Sequence, residues 1–269
     1  PPALSTRNHA QSKETPMSDS ITLNGRVALI TGAGNGIGRA TALRMAAMGA
    51  TVGVNDLKQE FVDKVVGEIA AAGGRAIGIA QNVGTRDGVR AAVQALLAQA
   101  GRLDVLVNNA AWVRYQAVAD IAPETVDRMV EVGFKSVIWG IQAAAEAMGE
   151  AGGSIVNVAS TAGLRSTPSS IVYSGIKAGV MGITRAAAAD LGARGIRVNA
   201  IAPSAVPTEG TQKHRTEEKD QKRIARTPLG RLGTVDDIAK AICFLATDQA
   251  SFVTGQVIAV DGGITTTNI

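Results

Sequence analysis

Seven short apolar runs recur along the chain, each too brief for a buried helix: residues 27–31 (V-A-L-I-T), 51–55, 76–80, 103–107, 154–158, 197–201 and 257–260. Helix-length segments separate them. Strands apolar on both faces suit a parallel sheet covered on both sides, and right-handed crossovers between them give a doubly wound α/β fold. The expected architecture is a single domain with a seven-stranded parallel sheet flanked by helices, whose ligands lie at the carboxyl ends of the strands. Pro123 stands near the start of a helix running from about residue 124 to 148, and Gly152 and Gly153 follow its end. Thr234, followed three residues later by Asp237, forms a capping box with Asp in place of Glu and opens a helix containing Cys243.

These patterns run from Leu23 to Thr265 without a Pro/Ser-rich linker or a charge block, which argues for one domain across residues 17–269. Residues 1–16 are polar and irregular and precede Met17, the expected natural start; the stretch before it reads as a leader or remnant outside the fold. Composition narrows the function classes. The formal net charge is only +4, and basic residues are scattered among acidic ones without aromatics between them, so no nucleic-acid partner is expected. No run of about 18 apolar residues is present, so no membrane partner is expected and a cytoplasmic location is. The lone cysteine, Cys243, excludes an intrachain disulfide and lies in the apolar run I-A-K-A-I-C-F-L-A, where it reads as core. His9 and His214 are the only histidines, and no Cys/His/Asp cluster has ligand spacing, so no metal is expected.

The first strand breaks into T-G-A-G-N-G-I-G, residues 31–38, and then into a helical pattern. A backbone that turns this sharply and lets a diphosphate approach has no room for side chains, and the helix amino terminus beyond it offers free N–H groups to the anion. Gly32, Gly36 and Gly38 carry those tasks. The literal dinucleotide fingerprint is not matched, because Ile37 falls where its third glycine belongs when counting starts at Gly32. Asp56, twenty positions after Gly36, supplies a second signal: a carboxylate there accepts both ribose hydroxyls of NAD and repels a 2′-phosphate. Neither Asn35 nor Leu57 supplies the cation a 2′-phosphate wants, so the expected cofactor is NAD.

Further motifs follow in order. N-N-A-A occupies residues 108–111, Ser160 lies thirteen residues before Tyr173, Lys177 comes four later in Y-S-G-I-K, R-V-N-A-I-A-P ends at Pro203, and V-D-G-G spans residues 260–263. With the glycine turn, these resemble the classical short-chain dehydrogenase/reductase family, whose members share a doubly wound Rossmann fold; the resemblance covers residues 23–265. It implies Ser160, Tyr173 and Lys177 as catalytic residues. It also implies cofactor contacts from Gly32, Asn35, Gly36, Ile37, Gly38, Asp56, Asn82, Val83, Asn109, Tyr173, Lys177, Pro203, Val206 and Thr208. Lys177 would bind the nicotinamide ribose, with Asn109, Val206 and Thr208 near the nicotinamide half. A homotetramer or homodimer is implied, with the long central helices and residues 252–263 at interfaces.

The chemistry also reads from the residues. Tyrosine and lysine at i and i+4 share a helical face, so an ammonium stands beside a phenol and is expected to lower a pKa that is otherwise about 10. Tyr173 then gives a proton to a carbonyl oxygen, or takes one from an alcohol, while hydride passes to or from nicotinamide. Ser160 holds that same oxygen. No histidine is placed to partner Ser160, and V-N-V-A-S-T lacks a nucleophile elbow, which argues against a serine hydrolase. The expected activity is an NAD(H)-dependent interconversion of a small-molecule secondary alcohol and ketone. One alternative is a 3-ketoacyl-carrier-protein reductase, generally NADPH-dependent, which Asp56 opposes. Another is a low-activity NAD-binding scaffold.

That last alternative rests on Gly133. Members of the family usually carry an asparagine on the long central helix, where it holds a kink and a water that connects the lysine to solvent; M-V-E-V-G-F-K-S puts Gly133 there. Glycine offers no side chain, though it lets a helix bend. Ala111 and Ser204 replace family glycines, and Asn82 stands where an aspartate commonly meets adenine. Residues 204–232 correspond to the family's mobile lid and carry H-R-T-E-E-K-D-Q-K-R, read as a solvated helix face. Trp112, Tyr115, Leu164 and Arg165 are candidates for pocket wall or for packing, and Arg114 with Arg165 for an acidic substrate group.

Overall fold

The computed structural model describes residues 21–210 and 215–267. The reading of residues 1–16 and Met17, like His9 and His214, lies outside the described residues. One parallel sheet runs in the order β3-β2-β1-β4-β5-β6-β7. Its strands are β1 (Val27–Ile30), β2 (Thr51–Asp56), β3 (Arg75–Ala80), β4 (Val105–Asn108), β5 (Gly153–Val158), β6 (Ile196–Pro203) and β7 (Val257–Val260). All seven expected strands are present; β4 starts two residues later than its pattern and β6 extends to Pro203. Between β1 and β4 the winding reverses, which opens a crevice at the carboxyl ends of the strands.

The helices are α1 (Gly36–Ala47), α2 (Gln59–Ala71), α3 (Arg86–Ala100), α4 (Pro123–Val130), α5 (Ser136–Met148), α6 (Ile171–Leu191), α7 (Glu217–Ala225) and α8 (Val235–Ala246). Side chains alternate across each strand, so Val27 and Leu29 join one core with Leu96, Val137 and Val180 of α3, α5 and α6. Ala28 and Ile30 face the other way, into a core with Met45, Val62 and Ile238 of α1, α2 and α8.

The long central helix differs from the expected uninterrupted run. It starts at Pro123 itself, the position where a missing N–H is harmless. It then widens into a π turn, Glu131–Lys135, and ends at Gly149, whose φ of 54° stops it before Gly152 and Gly153. The capping box is present. Thr234 Oγ1 accepts the Asp237 N–H at 3.1 Å and Asp237 accepts the Thr234 N–H at 2.8 Å. Cys243 is buried in the core, which pushes its thiol up to about 12. Among the described residues no helix is long and apolar enough to cross a membrane.

Candidate active site

β1 delivers Thr31 to the carboxyl edge of the sheet, and the turn beyond it leaves no room for side chains. Gly32 and Gly36 take φ of 63° and 54°, the left-handed region open to glycine. A Cβ on Gly32 would stand 2.8 Å from the Ala110 Cα, and one on Gly38 would collide with the Gly32 carbonyl oxygen. Thr31 Oγ1 braces the turn by accepting the Asn109 and Ala110 N–H groups at 3.0 and 3.1 Å. The Asn109 amide donates to the Thr31 and Gly32 carbonyls at 2.9 Å each. Asn109 thus holds the cradle itself in shape.

Gly34, which the motif reading leaves without a role, brings the turn onto β2. Its N–H donates to Asp56 Oδ2 at 3.0 Å while the Leu57 N–H donates to Oδ1 at 2.8 Å, pinning the carboxylate beside the turn. A Cβ on Gly34 would stand 2.7 Å from that oxygen. The two cations closest in sequence to the turn and to Asp56 are engaged: Arg39 Nε lies 2.7 Å from Glu68 and Lys58 Nζ 3.3 Å from Glu60. Past β3, Asn82 Oδ1 accepts the Gly84 N–H at 3.0 Å and Val83 is buried. Beyond Pro203, Val206 is buried and the Thr208 methyl packs over Gly36, so the loop after β6 closes onto the glycine turn. Asn35 is the N-cap of α1 and makes no side-chain cap bond; Ile37 follows in the first turn. A dinucleotide fits these residues: a cradle that a Cβ would fill, a helix amino terminus beside it, and a carboxylate at the ribose position.

On the other side of the crevice, the chain leaves β5 through Ser160 and one 3-10 turn, Thr161–Gly163. A Cβ on Gly163 would lie 2.7 Å from the Ala178 nitrogen, so glycine lets the turn press on the α6 backbone at Lys177. That contact brings Ser160 close enough to the Tyr173 phenol to pull its pKa down. Ser160 Oγ also accepts the Ala162 N–H at 3.1 Å. Lys177 is buried, donates from Nζ to the Val158 carbonyl at 2.6 Å, and lies 5.8 Å from the Tyr173 ring centre. All three expected residues meet.

The expectation that Lys177 lowers the phenol's pKa is reversed. Burial pushes Tyr173 up to about 12, against the pull of Ser160, and burial draws Lys177 down to about 8. Desolvation favours the neutral form of each. Of the groups around the phenol, Ser160 pulls its pKa down and Tyr115 adds to the upward push of burial.

Gly133 lies buried in the π turn between α4 and α5. A π turn is a recognised cause of a kink and recurs at functional sites, so the irregularity exists here without an asparagine. A Cβ on Gly133 would stand 3.2 Å from Ile176 Cγ2, next to Lys177 in sequence.

The mouth of the site sorts the remaining candidates. Tyr115 meets Tyr173 edge-on, with ring centres 5.7 Å apart. Trp112 instead stacks with Arg128 of α4 at 4.6 Å. Arg165 donates to the Ile264 carbonyl at 3.2 Å, fastening the segment after Ser160 to the carboxyl-terminal one. Arg114 and Leu164 are exposed. Residues 217–223 of the charged run lie in α7, which has no buried residue. A cavity of about 510 Å³ lined by Thr167, Ser170, Ile171, Ser174 and Ala178, among others, contains neither Tyr173 nor Lys177 and lies on another face of α6. Among the described residues, no group of three or more His, Cys, Asp or Glu could hold a metal ion.

Sequence reasoning missed the support behind the site. Asn108 donates to Asn157 Oδ1 at 2.9 Å and Asn157 donates to Thr184 Oγ1 at 3.0 Å, tying β4, β5 and α6 together in the core. Gly140 of α5 closes directly on Asn108, where a Cβ would collide. The first asparagine of N-N-A-A was the one visible signal for this chain of bonds.

Such a sheet, with a glycine cradle at the switch point and the Ser160, Tyr173 and Lys177 cluster across the crevice, has the doubly wound architecture shared by many oxidoreductases. A family model described as enoyl-(acyl carrier protein) reductase matches residues 32–265. The 3-oxoacyl-[acyl-carrier-protein] reductase FabG of Thermotoga maritima is 41% identical over 245 residues, covering 91% of this chain and 99% of that one. The (2S)-[(R)-hydroxy(phenyl)methyl]succinyl-CoA dehydrogenase subunit BbsD of Thauera aromatica is 42% identical over 246 residues, 90% of this chain and 97% of the other. Among solved structures, a 7 alpha-hydroxysteroid dehydrogenase complexed with NADH and 7-oxo glycochenodeoxycholic acid matches with a TM-score of 0.88 and 35% identity, over 93% of this chain and 98% of that one. The chain belongs to the short-chain dehydrogenase/reductase family of oxidoreductases.

Proposed function

We propose that this protein is an NAD(H)-dependent oxidoreductase that interconverts a secondary alcohol and a ketone, with Tyr173 as acid/base. The observation that carries the reading is the convergence of Ser160 and Tyr173 beside a buried Lys177, across the crevice from the glycine cradle. When bound, nicotinamide supplies the hydride acceptor or donor. Ser160 and Tyr173 converge on the substrate oxygen, one orienting it and the other exchanging its proton. At neutral pH Tyr173 stays protonated and Lys177 is predominantly charged, as a proton donor to a carbonyl requires. The pinned Asp56 carboxylate and the engaged Arg39 and Lys58 support NAD over NADP.

A second reading, reduction of a 3-oxoacyl group on a carrier, is favoured by the name of the Thermotoga relative. Initial rates with NADH and NADPH over a panel of ketones, acetoacetyl-CoA and an acetoacetyl carrier protein test both. Turnover of free ketones with NADH at least tenfold preferred is the expected result. Preference for the carrier substrate with NADPH moves the assignment to the second reading. Tight NAD binding without turnover of anything leaves a scaffold.

A homotetramer or homodimer and a cytoplasmic location belong to the same reading. The fully exposed Phe252 and the edge position of β7 support the first; mass in solution and cell fractionation check them.

A further inference from the structure

The loop after β6 places an acid where the proposed reaction has no use for one. Glu209 Oε2 accepts the Gly36 N–H at 3.2 Å. Gly36 opens α1, whose first turn holds no acidic residue and whose N-cap makes no side-chain bond. Thr208, one residue before, packs on the same glycine. Arg39, still in the first turn of α1, is held charged first by Glu68 and also by Glu209. We propose that Glu209 is an internal competitor for the diphosphate of the dinucleotide, resting on the α1 amino terminus of the free protein and leaving when the cofactor enters. The inference rests on the dinucleotide reading of the cradle.

The argument is electrostatic. A helix amino terminus carries roughly half a positive charge that fades within its first turn, so a carboxylate seated there uses the attraction a diphosphate needs. Both anions together would repel at close range. Asp56 is different, because two backbone N–H groups pin it to one side of the turn. Glu209 sits on an exposed loop, with Arg39 as a second partner for its charge, so it can yield without disturbing the sheet. The consequence is weaker dinucleotide binding and faster release, which matters where release limits turnover.

Calorimetric titration of the full chain and of Glu209→Gln with NAD, NADP, ADP and adenosine, at low and moderate salt, tests the proposal. Expected are about three- to tenfold tighter NAD and ADP in the variant, unchanged adenosine, and a gap that narrows with salt. Equal or weaker ADP binding by the variant overturns the competitor role and leaves the dinucleotide reading standing. A matching gain for adenosine also overturns it, since the residue would then act on loop shape. Binding of none of NAD, NADP or ADP by either protein overturns both.

Discussion

On the β1–β2 side of the crevice, the contacts are made to or by main-chain atoms of a glycine turn. Gly32, Gly34 and Gly38 allow approaches that a Cβ would block, and Thr31, Asn109 and Asp56 bond to main-chain atoms of the turn or its flanks. On the β5–α6 side, side chains meet instead: Ser160, Tyr173 and Lys177 converge from two elements, and the half-exposed Tyr115 ring stands against Tyr173. A shared cofactor demands one backbone shape, whereas a substrate is chosen by side chains that can change without disturbing that shape. On the proposed function, the first side would hold the cofactor and the second would choose the substrate.

Substitutions on the two sides should separate binding from chemistry. Tyr173→Phe is the largest expected effect: turnover falls at least ~10²–10⁴-fold while NAD affinity by calorimetry stays within about twofold. A parallel loss of NAD binding would blur the division. Gly38→Ala should do the reverse, weakening NAD by more than about tenfold, because its methyl meets the Gly32 carbonyl, and costing about 1–3 kcal/mol of stability through forced backbone shifts. Normal NAD affinity in a folded Gly38→Ala protein would remove the steric argument for the cradle.

The pH dependence of stability probes the buried lysine. Its folded pKa, about 8, lies below the ordinary 10.5, so between those values the unfolded chain holds a proton that the native one has lost, and stability rises with pH. The rise should be about 2 kcal/mol from pH 8 to pH 10, measured by urea unfolding. Above pH 10, Tyr173 works in the opposite direction, because the native state keeps a proton up to about 12 that the unfolded one gives up. Lys177→Met should flatten the rise; an unchanged slope would place its origin elsewhere. The smallest effect belongs to the mouth. Tyr115→Ala should lower kcat/KM about three- to tenfold through loss of the edge contact, with Tyr115→Phe near the natural value. If Phe behaves like Ala, the phenol oxygen matters and the ring contact alone is not the cause.

Gly133 shows where pattern reading stops. The sequence marks the departure from the family's asparagine, yet no local spacing reveals that the position lies in a π turn facing Ile176 of α6. Tyr173 teaches the same lesson: i, i+4 spacing placed Lys177 beside it, but the direction of its pKa follows from how deeply the pair is buried.

Strand periodicity, the glycine turn, Asp56 and the Ser160, Tyr173 and Lys177 spacing were readable in one dimension, because each follows from local geometry or from the absence of a side chain. The Asn108–Asn157–Thr184 brace, the pinning of Asp56 and the seat of Glu209 on Gly36, 173 residues away, were not. Those contacts exist only once β2, β1, β4, β5 and β6 lie side by side, since what a polar group does is set by the partner that folding brings within reach.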